Sequence, residues 1–262
     1  MNPELKYHVI DTGIEGGGYA QTALADLDGC GRTEHIVGRR EGDLYVYKYR
    51  APDHWTCFLL GADSPSDVGA AIVDVDEDGR SDVVTGGAWY RNSGDFSVPF
   101  ERFVFDADLT GVHDVAVGDL DGDGKPEVVT MSDRSDVRWY RIGDDPTQPW
   151  PAPTRIGDPV HAGIGLGDLD GDGDLDIFSA VIEAVGGDAE PRWYLWENVD
   201  GKGTQWQEHV ILDANLGGHE IVVGGVTGNG TLDILGKPWR PAEGNAVDGK
   251  MFVVFLEGLA AT

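Results

Sequence analysis

Positive charge is scarce in this chain. Its 262 residues hold 19 Lys and Arg against 47 Asp and Glu, a formal net charge of −28. That balance excludes the electropositive face that nucleic acid or an anionic membrane surface would need as a partner. Cysteine is nearly absent, with Cys30 and Cys57 the only two, so there is neither a disulfide framework nor a CxxC pair. No apolar run approaches the ~20 residues of a membrane-spanning helix. The opening MNPELKYHVI lacks the charged-then-apolar order of a signal peptide. As written the chain is expected to be cytoplasmic, or secreted if a leader has been removed. A GxSxG elbow and a phosphate-binding GxxxxGKS/T loop are also missing, and the GGG at 16–18 leads into Tyr19 as a turn. No Pro- or Ser-rich linker interrupts the sequence, so 1–262 reads as one domain.

What abounds is acid in a fixed phrase. DLDGDGKPEVV places Asp119, Asp121 and Asp123 at alternate positions, then Gly124 at a turn, then Glu127. Carboxylates this close repel one another unless a hard cation collects their oxygens, and calcium is the natural ion, with magnesium possible. In that arrangement the carbonyl of Lys125 adds a ligand and Glu127 closes the shell. The phrase returns as DVDEDGRSDVV (Asp74, Asp76, Asp78, Arg80, Asp82) and as DLDGDGDLDIF (Asp168, Asp170, Asp172, Asp174, Asp176). It is partial in DLDGCGRTEHIV, where Asp26, Asp28 and Glu34 remain but Cys30 replaces the third Asp. GVTGNGTLDIL, from Gly225, keeps the outline with most acids lost, so three to four structural ions are expected. An EF-hand would need a Glu at the twelfth position, where Val37, Thr85, Thr130 and Ser179 stand instead.

The phrases begin at 26, 74, 119, 168 and 225, a period near fifty residues with a strand-like run after every loop. In the third unit HDVAVG, EVVTM, DVRWYRI and TRIGD supply four short strands, which is the content of a propeller blade. The expected fold is all-β, a five-bladed β-propeller with four antiparallel strands per blade. KYHVIDTGIEGGGYA (6–20) reads like QEHVILDANLGGHEI (207–221), where one blade passes to the next. Residues 5–11 are therefore expected to pair beside KMFVVFLE (250–257) and close the ring as an N-terminal strand.

On these loops the chain resembles the FG-GAP or VCBS type of β-propeller repeat, related to the calcium-binding blades of integrin α chains. The likeness is specific in blades two to four, partial in blade one and degenerate in blade five. What the resemblance implies is a fold and structural calcium. It leaves the function open, because such propellers include adhesion modules, lectin-like binders, polysaccharide lyases and sugar dehydratases.

With the ion loops on one face, the opposite face is built from residues just before each first strand and just after each second strand. The former are Tyr19, Asp67, His113 with Asp114, His161, and His219 with Glu220; three of the seven histidines share this position. The latter include Arg39, Arg40, Trp89, Arg134, Glu183, Lys237, Trp239 and Arg240. Trp89-Tyr90, Trp139-Tyr140 and Trp193-Tyr194 recur at one blade position, which suits packing of blade on blade, whereas Trp239 departs from it. Two readings follow. In an enzyme, His113, His161, His219 and Tyr19 form an axial catalytic cluster, histidines serving as general acid and base, with Lys237 steadying negative charge. Arg39, Asp67, Trp89, Asp114, Glu220 and Trp239 then contact a small-molecule or carbohydrate substrate undergoing elimination or isomerisation, as in a lyase or dehydratase. His113 and His219 also suit a catalytic metal such as zinc. In a lectin-like module the same surfaces bind a glycan without chemistry.

Overall fold

The computed structural model describes residues 6–13, 18–40, 42–66, 69–132, 136–157, 161–181, 191–240 and 245–258, with the side chains of 19–22 and 161–162 outside that description. Asp67, Arg134 and Glu183 therefore lie outside the described residues. Nineteen strands and no helix form among those described. The first sheet holds β1 (Tyr19–Ala25), β2 (Glu34–Arg39), β3 (Leu44–Ala51) and β4 (His54–Gly61); the second holds β5 (Ala71–Val73), β6 (Asp82–Val84), β7 (Ala88–Arg91) and β8 (Glu101–Val104). The third holds β9 (Val112–Gly118), β10 (Glu127–Ser132), β11 (Val137–Tyr140) and β12 (Thr154–Gly157). The fourth holds β13 (His161–Gly167), β14 (Asp176–Val181), β15 (Trp193–Asn198) and β16 (Trp206–Leu212), and the fifth β17 (Glu220–Gly224), β18 (Asp233–Lys237) and β19 (Val254–Leu256). Each sheet is an antiparallel meander in chain order, and the first strands of consecutive sheets adjoin. This is the five-bladed β-propeller.

Four blades have the expected four strands and the fifth has three. No strand pairing of the N-terminal segment closes the ring among the described residues. Residues 6–13 carry no strand, Tyr7 and Val9 stand exposed, and the Asp11 carboxylate accepts the Tyr47 hydroxyl of β3 at 2.7 Å. That contact ties the segment to blade one.

The repeated aromatic pairs make the blade interfaces. Successive strand residues point to opposite faces, so each Trp-Tyr pair serves two interfaces. Trp89 enters the cluster between blades two and three while Tyr90 enters the one between blades one and two. Trp139 and Tyr140 divide likewise, as do Trp193 and Tyr194. The reading of Trp89 as a substrate contact is corrected here: the ring is 0 % exposed, stacks on Phe103 at 4.9 Å and donates to the Pro146 carbonyl at 2.9 Å. Interface packing claims it.

The acid loops are fixed by a clasp that recurs in every blade. The buried closing acid accepts a backbone N–H from the start of its loop, that of the second residue in blades one to four and of the third in blade five: Leu27 to Glu34 at 2.9 Å, Val75 to Asp82 at 2.9 Å, Leu120 to Glu127 at 2.8 Å, Leu169 to Asp176 at 3.0 Å and Thr227 to Asp233 at 2.8 Å. The first Asp accepts two further loop amides, as Asp74 does from Asp78 and Gly79. Gly124 and its equivalent Gly79 sit at φ 87 and 88, the left-handed region that glycine adopts without strain. Two buried asparagines then staple blade to blade. Asn92 donates to the Leu27 carbonyl at 2.6 Å, and Asn198 donates to the Leu120 carbonyl at 2.8 Å while accepting from Gly203 at 2.8 Å.

Replacing Asn198 by Ala strands the Leu120 carbonyl and the Gly203 amide in the interior. At about 1–3 kcal/mol for each buried group left unmade, Asn198→Ala is expected to lower the unfolding free energy by about 3 kcal/mol in a denaturant titration. An unchanged midpoint would show that the staple contributes nothing.

Candidate functional site

Two faces carry candidate chemistry. On the loop face, four groups of side chains converge closely enough to hold a metal ion: Asp26, Asp28 and Cys30; Asp74, Asp76 and Asp78; Asp119, Asp121 and Glu127; Asp168, Asp170 and Asp172. In each group the ligand atoms lie within 4.8 Å of one another. Among the closing acids, only Glu127 joins its group. Asp82 and Asp176 instead give both oxygens to backbone amides, the second oxygen accepting from Asn92 at 2.7 Å and from Asn198 at 3.0 Å. Their expected place as direct ligands is thus taken over by the clasp and staple. Asp123 likewise spends Oδ1 on the Lys125 amide at 2.8 Å, and Lys125 reaches Glu77 of blade two at 2.5 Å. Arg80 pairs through its side chain with Asp78 at 2.8 Å.

The acids suit a hard cation. Burial, with Asp121 and Asp123 adding repulsion, pushes Glu127 up to about 7. Burial first and neighbouring acids second push Asp82, Asp174 and Asp176 up to about 6. Asp76 Oδ1 and Asp174 Oδ1 are buried with no hydrogen-bond partner. An oxygen-seeking divalent ion would relieve both the repulsion and these orphaned oxygens.

On the opposite face, His113 and Asp114 lie on β9, and His219 stands just before β17 with its amide held by the Lys237 carbonyl at 2.8 Å. These blades are not neighbours, yet His113 Nε2 and His219 Nε2 meet at 3.1 Å with the rings edge to face. Gly163 of the intervening blade makes the room. It sits at φ 71, where β13 is irregular, and a Cβ there would meet the His219 carbonyl oxygen at 2.8 Å. Its amide donates to Asp114 Oδ2 at 3.1 Å. Each imidazole is backed by a carboxylate, His113 Nδ1 to Asp114 at 2.9 Å and His219 Nδ1 to Glu220 at 3.1 Å. The His219 hydrogen bond holds Glu220 below its usual range. His113 is 5 % exposed, whereas Trp239, stacked on His219 at 6.0 Å and capped by Arg240, is 57 % exposed. The site is therefore closed behind His113 and open beside Trp239.

An ionised carboxylate only accepts, so Nδ1 is the donor in each carboxylate-backed pair. With both Nδ1 atoms donating, the two Nε2 atoms at 3.1 Å would share a single proton. The two-imidazole group is not among the sets of three or more convergent metal ligands found among the described residues.

Other expected members are placed differently. Tyr19 and His161 open β1 and β13, opposite Arg39 and Val181, with side chains outside the description. Lys237 pairs with Glu220 across β17 and β18, and its charge helps hold Glu220 ionised. Arg39 ends β2, and its buried Nε has no partner. Gly163 and the asparagine staples escaped the reading of the sequence. Gly163 was legible only as the small residue in HAGIG, directly after a histidine of the repeated set.

Together these features define a five-bladed propeller with acidic ion loops on one face and a histidine pair on the other. The chain belongs to the FG-GAP-like repeat family, whose profile matches residues 74–130, 119–179 and 168–236, more than half of its length. A sequence comparison with curated proteins finds no match. Among solved structures, BBS1N in complex with ARL6DN is similar over 92 % of this chain and 69 % of that one, at 12 % identity and a TM-score of 0.50, a likeness of fold. An endo-arabinase from Bacteroides thetaiotaomicron VPI-5482 aligns at 13 % identity and TM-score 0.45 over 87 % and 90 % of the two chains. A thermostable family-43 glycoside hydrolase aligns at 11 % and 0.45 over 93 % and 91 %.

The raised acids set a pH dependence. Their unfolded values are 3.8 for Asp and 4.5 for Glu, so between about pH 4 and 7 the ion-free folded state binds more protons than the unfolded one. Its stability is full below that window and falls as pH rises through it. A bound cation removes the repulsion, so calcium added to chelator-treated protein is expected to raise the melting temperature more at pH 8 than at pH 5. An equal or larger rise at pH 5 would contradict this.

Proposed function

We propose that this protein is an enzyme acting on a carbohydrate or related small molecule, with the His113–His219 pair as its proton-transfer centre and calcium in the loops as structural support. The observation that carries this reading is the 3.1 Å contact between two Nε2 atoms, each backed through Nδ1 by a carboxylate. One imidazole exposes a lone pair and the other a proton once substrate separates them, which is what general base and general acid require in one step. In elimination beside a carbonyl, the base removes the proton from the carbon next to it, and the acid protonates the departing oxygen. Lys237, beside Glu220, supplies positive charge for the enolate that develops. In isomerisation the same pair returns the proton to the neighbouring atom. Trp239, 57 % exposed, offers apolar ring surface to a sugar beside His219. This favours the lyase, dehydratase or isomerase class.

A lectin-like module without catalysis is the second reading. It is favoured by a groove of about 420 Å³ between blades two and three, lined by Asp76, Glu77, Asp123, Lys125 and Glu127, where ions and a glycan would meet without the histidines.

Turnover of uronic-acid oligosaccharides and neutral keto sugars, followed by the ultraviolet absorbance of unsaturated or isomerised products, separates the two. His113→Gln and His219→Gln are each expected to lower kcat by about 100-fold or more with melting temperatures within a few degrees of the parent. Trp239→Ala should raise KM. Turnover that survives both histidine substitutions ends the catalytic assignment, and binding without turnover in the parent supports the lectin-like reading.

A further inference from the structure

The residue opposite the closing acid on the next strand differs from blade to blade. Continued one residue beyond the last paired positions, the strand registers bring Lys48 opposite Glu34, Arg91 opposite Asp82, Arg141 opposite Glu127 and Glu197 opposite Asp176. In blades two and three the guanidinium bonds the second Asp of the loop, Arg91 to Asp76 at 2.8 Å and Arg141 to Asp121 at 2.6 Å. Both guanidinium groups lie aside, over Trp89 and Trp139, with side chains 31 % and 51 % exposed. Lys48 differs. Its side chain is 14 % exposed, its ammonium contacts Asp28 and stands 3.7 Å from Glu34, and Phe96 covers it at 5.4 Å. Of the four acidic loops this is the one whose third Asp is missing, Cys30 standing there with its amide turned to Asp26 and Asp28.

We propose that Lys48 is a built-in cation that takes the place of the bound ion in the first loop, so that the acids of blade one are partly balanced by the chain itself and take up no divalent ion. A single positive charge balances a loop with three acids better than one with four, and an ammonium held by two loop carboxylates repels an arriving divalent ion. Blade four is the opposite extreme. Glu197 stands where the cation would be and is held by His209 at 2.7 Å, so the strand opposite adds an acid to that loop instead of a cation. That loop depends on an external ion most. The inference rests on calcium filling the remaining loops.

Native mass spectrometry of the chelator-treated full chain, with calcium alone returned, counts the ions. Three are expected in the parent. Lys48→Met combined with Cys30→Asp restores the acids and removes the ammonium, and one more ion than in the parent is expected. The parent's count depends on no variant folding. Four ions in the parent, or no increase in a folded double variant, overturns the proposal. No calcium at all in either would overturn the calcium reading beneath it.

Discussion

A buried carboxylate that accepts its own loop's amide is the interaction on which the rest of this structure depends. It occurs five times, at Glu34, Asp82, Glu127, Asp176 and Asp233. It persists in blade five, where the other loop acids are gone, so its role does not require an ion. The reason is local. A chain reversing between two strands leaves amides without ladder partners, and a carboxylate anchored on the second strand satisfies one of them from inside. Where asparagine staples approach the same carboxylate, in blades two and four, the clasp also sets how adjacent blades meet. Any ion the loops hold would join a scaffold already shaped by hydrogen bonds.

The repeated hydrogen-bond plan of one face contrasts with divergence on the other. Consecutive blades share a common interface plan, with each Trp-Tyr pair divided between two clusters. At the ends of the inner strands that plan is broken by residues that are not copies of one another: His113, Gly163 and His219. Glycine in the middle blade lets side chains of the flanking blades touch, which five equivalent blades could not arrange. Of the described residues, those gathered here come from blades three, four and five. In a chain with a net charge of −28, Lys237 and Arg240 bring scarce positive charge beside the carboxylate-backed histidine pair.

Much of this was legible in the amino-acid order. Acid spacing and the near-fifty-residue period specify loops, strands and blade count, because turn chemistry and alternation are local properties. The convergence of His113 and His219 was legible as position on a blade, and Trp239 as the aromatic outside the repeated pairs. Other features depend on register across strands or on neighbouring blades, which spacing alone does not reveal. Asp82 and Asp176 look like ion ligands in sequence, yet both oxygens go to amides that arrive from other segments. Lys48 lies 14 residues beyond Glu34 and becomes its neighbour only through hairpin register. Arg39 was read as part of a positive mouth, but nothing among its described contacts links it to the histidine pair. Similarity to a blade junction suggests an N-terminal closing strand; among the described residues, 6–13 carry no strand, and Asp11 accepts from Tyr47 of blade one.

Nitrogen-15 NMR of histidine-labelled protein tests the proposed proton-transfer centre directly. If His113 and His219 share one proton between carboxylate-backed rings, both Nδ1 atoms will be protonated and a single proton will couple to the two Nε2 atoms, a signal lost in His219→Gln. Two independent neutral rings, each with its proton on Nε2 and a bare Nδ1, would contradict the shared-proton pair.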